Sequence, residues 1–129
     1  MSIKGPFHHV HLLSENPQIT VGWYVEKLGG RIFDEGNVRG SMRFRLRLGE
    51  AQINIRGPRP GEKIVPHGGG KSVGIDHFGL STDELEPLLN QLKSKGAKIV
   101  EPIFTTPAGG RAFFIEGPDG VLIEIMEAS

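Results

Sequence analysis

Residues 6 to 15 read "PFHHVHLLSE", placing His8, His9 and His11 within four positions of a run that otherwise has the composition of a buried strand. Imidazole titrates near neutrality, so each ring can carry a proton or, when neutral, ligate a metal. In an extended segment, side chains two apart share a face. His9 and His11 therefore point one way, and His8 and Val10 the other. Residues 74 to 83, "GIDHFGLSTD", set His77 in a second run of the same kind. Glu124 lies in "LIEIM", an apolar stretch near the chain's end. A carboxylate buried there is costly unless a cation accompanies it. The competing reading makes His9 and His77 hydrogen-bonded core residues and leaves Glu124 facing solvent on an edge strand.

A third group is cationic. In "MRFRLRL", Arg43, Arg45 and Arg47 alternate with apolar residues and so share one strand face. Like charges this close repel unless something anionic balances them. Guanidinium forks suit the carboxylate or phosphate of a substrate. Acidic residues such as Glu50 or Glu116 in a structural network, or solvent alone, would also satisfy them.

The elements that must position these residues occur twice. His9 and His77 are 68 positions apart, Gly29 and Gly96 are 67 apart, and Asn54 and Glu124 are 70 apart. Three anchors in one register define an internal repeat. Helices are expected at about Pro17 to Leu28 and Asp83 to Lys95, each ended by its glycine in a left-handed stop. Extended segments follow, "RGSMRFRLRLG" then "AQINIRG" in one copy and "GGRAFFIEGPDG" then "VLIEIME" in the other. Residues 5 to 56 form the first unit, 57 to 72 a Pro- and Gly-rich surface linker, and 73 to 129 the second unit of a single domain. The glycines of "TTPAGGR", residues 105 to 111, would allow a mobile loop there.

Composition narrows the functions. The 129 residues suit one domain with its own core, and the absence of cysteine excludes disulfides and thiolate metal sites. Fifteen basic residues balance fifteen acidic ones, without the basic excess of a nucleic-acid binder. No apolar stretch is long enough to span a membrane and no signal peptide is evident, so a cytoplasmic location is expected.

Two βαβββ units, a histidine in the first strand of each, and a terminal "PDGVLIEIME" resemble the vicinal oxygen chelate superfamily along essentially the whole chain. That group includes glyoxalase I, methylmalonyl-CoA epimerase, extradiol dioxygenases, and fosfomycin- and bleomycin-resistance proteins. The resemblance implies an α+β fold, with a curved mixed sheet around a cavity and helices on its convex side. The arginine face would then line the concave side. It also implies that His9, His77 and Glu124 hold a divalent ion, with Fe, Mn, Ni and Zn all open. Two imidazoles and a carboxylate form a facial triad that leaves positions free for substrate oxygens or O₂.

Asn54 departs from glyoxalase I, which has a proton-shuttling glutamate at the matching position. An amide cannot accept that proton, although its oxygen could contact metal or substrate. His11, beside the metal, is either the catalytic proton carrier or a polar wall of the cavity. The expected function is a dioxygenase-like metal enzyme acting on a small, anionic, oxygenated substrate. A lyase or isomerase of the glyoxalase or epimerase type is the alternative, and a non-catalytic drug-binding resistance protein is the third reading. A homodimer is expected, as is common in the resembling families.

Overall fold

The computed structural model describes residues 1–129. The chain divides into two compact units, Met1–Val65 and Pro66–Ser129. In the first unit, β1 (Val10–Leu13) is followed by α1 (Pro17–Leu28), β2 (Arg31–Val38), β3 (Ser41–Leu48) and β4 (Ala51–Arg56). The second unit repeats the order with β5 (Phe78–Thr82), α2 (Leu85–Ser94), β6 (Lys98–Thr105), β7 (Arg111–Glu116) and β8 (Leu122–Glu127). Each unit has one four-stranded mixed sheet, β1-β4-β3-β2 and β5-β8-β7-β6. In both, the first strand pairs in parallel with the last and the other pairs are antiparallel. The fold is α+β, with two βαβββ units. No helix is long and apolar enough to cross a membrane.

Local chemistry sets the element bounds. Asn16 caps α1 by accepting from the Ile19 N–H at 3.3 Å, and Pro17 fits the first turn, where its missing N–H is not needed. Gly29 ends the helix at φ 71°, with its N–H donating to the Val25 carbonyl at 3.1 Å. After α2 the left-handed glycine comes one residue later: Gly96, at φ 77°, follows Lys95, and its N–H donates to the Lys93 carbonyl at 3.0 Å. α2 is shorter than expected at both ends. The Glu84 N–H is taken by the Thr82 hydroxyl at 3.1 Å, so the chain enters the helix only after a turn.

The alternation in β3 sorts its residues as expected. Phe44, Leu46 and Leu48 are buried, while Arg43, Arg45 and Arg47 leave the opposite face. α1 packs on β3 and β4, burying Val21 and Tyr24. Gly30 lets that seam close tightly, because a Cβ there would stand 2.7 Å from Leu46 Cδ1. In the second unit, Ile123 and Ile125 of β8 and Leu85, Leu89 and Leu92 of α2 are buried, and α2 contacts β8. Residues 57 to 77 carry no helix or strand. The "TTPAGGR" segment closes on itself, with the Thr106 N–H donating to the Gly110 carbonyl at 2.7 Å.

Candidate functional site

The strand register makes the repeat explicit. Val10 faces Ile53 and Phe78 faces Ile123; one residue further, His11 faces Asn54 and Gly79 faces Glu124. Asn54 is thus the counterpart of Glu124, and Gly79 the counterpart of His11. Across the next ladder, Asn54 faces Arg45 and Glu124 faces Phe114. The two faces have diverged: the first is polar and cationic, the second combines a carboxylate with aromatic rings. His9 and His77 each lie one residue before a strand rather than inside it.

In the second unit, His77 and Glu124 meet. His77 Nε2 is 3.2 Å from Glu124 Oε1, and His77 Nδ1 is 2.8 Å from Asp76 Oδ2. The bond to His77 and the Lys71 ammonium at 3.1 Å hold the Asp76 carboxyl below its ordinary pKa. An ionised carboxylate only accepts, so Nδ1 carries the hydrogen and donates. In a neutral imidazole this leaves a lone pair on Nε2, turned toward a carboxylate oxygen that has only lone pairs. Such a pair is satisfied by a proton or by a cation. Phe114 meets the His77 ring edge-on at 5.0 Å, and Phe104 stacks on Phe114 at 5.8 Å. A Cβ on Gly79 would lie 3.8 Å from Glu124 Oε1, so the glycine leaves space over that oxygen. Glu124 is only 16% exposed, which departs from the solvent-facing alternative.

In the first unit, His8 does not turn away from His9. Their Nδ1 atoms are 2.7 Å apart, because the chain there precedes β1 and no ladder enforces alternation. The His9 and His11 rings are 6.2 Å apart. Partial desolvation, together with the charges of His9, Arg56, Arg43 and Arg59, holds the His11 pKa below its ordinary value. Asn54 is buried, and its amide oxygen accepts from Gln52 Nε2 at 3.0 Å.

The acidic partner of the arginine face is Asp34 of β2, rather than Glu50 or Glu116. Asp34 Oδ2 is 2.9 Å from Arg43 Nη2 and 3.4 Å from Arg45 Nε. Glu116 pairs with Lys98 instead. Arg47 lies over the Phe33 ring at 5.1 Å, a cation–π contact. No group of three or more His, Cys, Asp or Glu side chains that could hold a metal is gathered in the structure. Residues missed in the sequence are Asp76, Asp34 and Gln52. Of these only Asp76 carried a signal, as a carboxylate directly preceding a histidine.

This fold and these faces place the molecule in a known class. The chain belongs to the Glyoxalase/Bleomycin resistance protein/Dioxygenase superfamily, which it matches over residues 7–125. It is 29% identical over 125 residues to the uncharacterized protein YwkD of Bacillus subtilis (strain 168), covering 93% of this chain and 94% of that one. Its fold is similar to the crystal structure of SMU.1112c, with a TM-score of 0.81 at 21% identity, covering 95% of this chain and 98% of that chain. It is also similar to the glyoxalase family protein from Enterococcus faecalis, with a TM-score of 0.77 at 26% identity, covering 95% and 97%. The superfamily contains metal-dependent enzymes and resistance proteins.

Proposed function

We propose that this chain is a divalent-metal-dependent enzyme acting on a small, anionic, oxygenated substrate. One observation carries the reading: His77, with Nδ1 tied to Asp76, turns Nε2 toward Glu124 at 3.2 Å. The donor set fits a borderline divalent ion, which imidazole and carboxylate both accept. A carboxylate behind a ligating histidine fixes its tautomer and raises its basicity. His77 and Glu124, both in the second unit, would hold the ion. When bound, the ion supplies Lewis acidity toward adjacent substrate oxygens.

The chain's own residues then orient and exclude. Phe114 and Phe104 line the approach to His77 with apolar surface. Arg45 and Arg47 attract the anionic end of the substrate. Asn54 keeps its amide oxygen on Gln52, which argues against an amide ligand and so favours open positions on the ion and dioxygenase-like chemistry. A second reading, a lyase or isomerase, is favoured by His11, which stands opposite Asn54 where the second unit has glycine. It would carry a proton between substrate carbons or oxygens.

Metal analysis of the purified protein, followed by oxygen uptake with catechol-like compounds, separates these readings. Metal with oxygen uptake supports the first. Metal without uptake, and with proton exchange lost in His11→Ala, supports the second. A protein that takes up none of Fe, Mn, Ni or Zn ends both.

A further inference from the structure

We infer that the first unit carries a subsite for an oxyanion, a carboxylate or a phosphate, built from Arg43, Arg56 and Arg59 beside His11. The inference rests on the reading that this sheet face receives substrate, and it names the chemistry of the substrate's charged end. Arg43 and Arg56 are direct partners across the β3–β4 ladder, so both side chains leave the face that bears His11 and Asn54. The β3–β4 ladder extends by one more bond, from the Gly57 N–H to the Met42 carbonyl at 3.0 Å, and the chain turns only at residues 59 to 62, where the Glu62 N–H donates to the Arg59 carbonyl at 3.0 Å. Pro60 packs so closely on the β2–β3 turn that a Cβ on Gly40 would lie 2.7 Å from its Cδ. The turn sets Arg59 close to Arg56, because Glu62 accepts from both the Arg56 guanidinium and the Arg59 backbone N–H. All three guanidiniums are near enough to act on the His11 charge.

The pairing among these groups is incomplete. Asp34 takes Nη2 of Arg43 at 2.9 Å, and Glu62 takes both Nη atoms of Arg56 at 2.7 and 3.0 Å. Glu62 also accepts from the Arg59 backbone N–H at 3.2 Å, yet no carboxylate pairs with the Arg59 guanidinium. The Nε atoms of Arg43 and Arg59 are each buried without a hydrogen-bond partner. Buried polar groups are normally bonded, and charged donors most of all. An Arg59 guanidinium without a carboxylate partner, near two further arginines that are balanced only by Asp34 and Glu62, calls for an acceptor that is anionic and has several oxygens. Neutral carbonyl or hydroxyl ligands would leave the excess charge uncompensated. Residues 57 to 62, outwardly a connecting segment, therefore contribute to ligand binding.

The test is calorimetric titration of the full chain with inorganic phosphate and, separately, with acetate, in the parent and in Arg59→Gln. Binding of either anion that weakens about tenfold or more in Arg59→Gln, with melting temperature and metal uptake unchanged, supports the subsite. Which anion binds more tightly assigns the charged end as phosphate or carboxylate. Failure of both anions to bind the parent overturns the inference. So does parent-like affinity in both Arg59→Gln and Arg43→Gln; if Arg43→Gln does not fold, parent-like affinity in Arg59→Gln alone suffices. Anion binding in a protein that takes up no metal overturns the metal reading and leaves the subsite standing.

Discussion

His77 offers Nε2 to Glu124 because Asp76, 2.8 Å away, occupies Nδ1. This small relay decides which ring nitrogen is free and how the ring is oriented. It divides the metal prediction into a ligand effect and an effect one bond removed. His77→Ala should abolish stoichiometric binding of Zn or Ni, while Asp76→Asn should weaken it roughly 10- to 100-fold. Metal content by elemental analysis and competition with a chromogenic chelator read both. Unchanged affinity in both His77→Ala and Glu124→Ala would sink the assignment.

Asn54 predicts negligible turnover of the methylglyoxal–glutathione adduct in the Zn- or Ni-loaded protein. Its position opposite His11 and Arg45 is the counterpart of Glu124. Asn54→Glu should therefore create or raise that activity, followed by the absorbance of the thioester product. Robust parental turnover would show that another group serves as base.

Arg45 and Arg47 should contribute to ligand affinity more than to stability. Arg45 is 40% exposed beside Asp34, and an ion pair that open contributes only about 0–1 kcal/mol. Arg45→Met or Arg47→Met should weaken an anionic ligand several-fold to a hundredfold, about 1.5–3 kcal/mol at the upper end. Melting temperature should barely move. A lower melting temperature with unchanged ligand affinity would make these residues scaffold.

The core makes a sharper prediction. Leu46 is fully buried, so Leu46→Ala should cost about 2–5 kcal/mol in urea unfolding. Gly30→Ala places a methyl 2.7 Å from Leu46 Cδ1 and 3.2 Å from the Tyr24 carbonyl. Overpacking of this kind costs about 1–3 kcal/mol. Parent-like stability in Gly30→Ala would show that the α1–β3 seam can relax.

Acid should weaken the second unit through Arg111, which binds Glu127 and Glu86, each at 2.6 Å. Hydrogen bonds from Arg111 hold the Glu127 carboxyl below its ordinary value of 4.5. A depressed carboxyl stabilises the fold above its unfolded pKa, and that contribution is lost as pH falls through its folded pKa. Arg111→Met should therefore melt earlier than the parent near neutrality, and the gap should close as pH falls below 4.5. A gap that persists in acid would assign the effect to packing of the arginine stem.

The repeat, both helices and the facing of β3 were legible because each leaves a local or periodic trace. Glycine stops, a proline at the first turn and strict alternation all act within a few residues. β2 and β6 left weaker traces. β2 is largely exposed along "RIFDEGNV", and β6 contains Pro102 and slips register twice. Without the β2 register, Asp34 could not be matched to Arg43 and Arg45. The pairing of His8 with His9 was likewise hidden, since strand alternation does not govern residues ahead of the ladder. Arg59 was illegible for a different reason. Its setting is made by the turn at residues 59 to 62, which composition alone reads as a linker.

The turn Pro118–Gly120 carries two left-handed residues in succession, Asp119 at φ 60° and Gly120 at φ 73°. It is closed by the Gly117 N–H on the Val121 carbonyl at 2.8 Å. It works as a phase-setter for β8. With three residues in the turn, Glu124 emerges on one side of the strand and Ile123 and Ile125 on the other. Lengthening or shortening it by one would exchange those sides, driving a carboxylate into the α2 core and exposing two isoleucines. The chemistry of Glu124 thus depends on a parity fixed several residues earlier, and loop-length variants here should lose fold and ligand together.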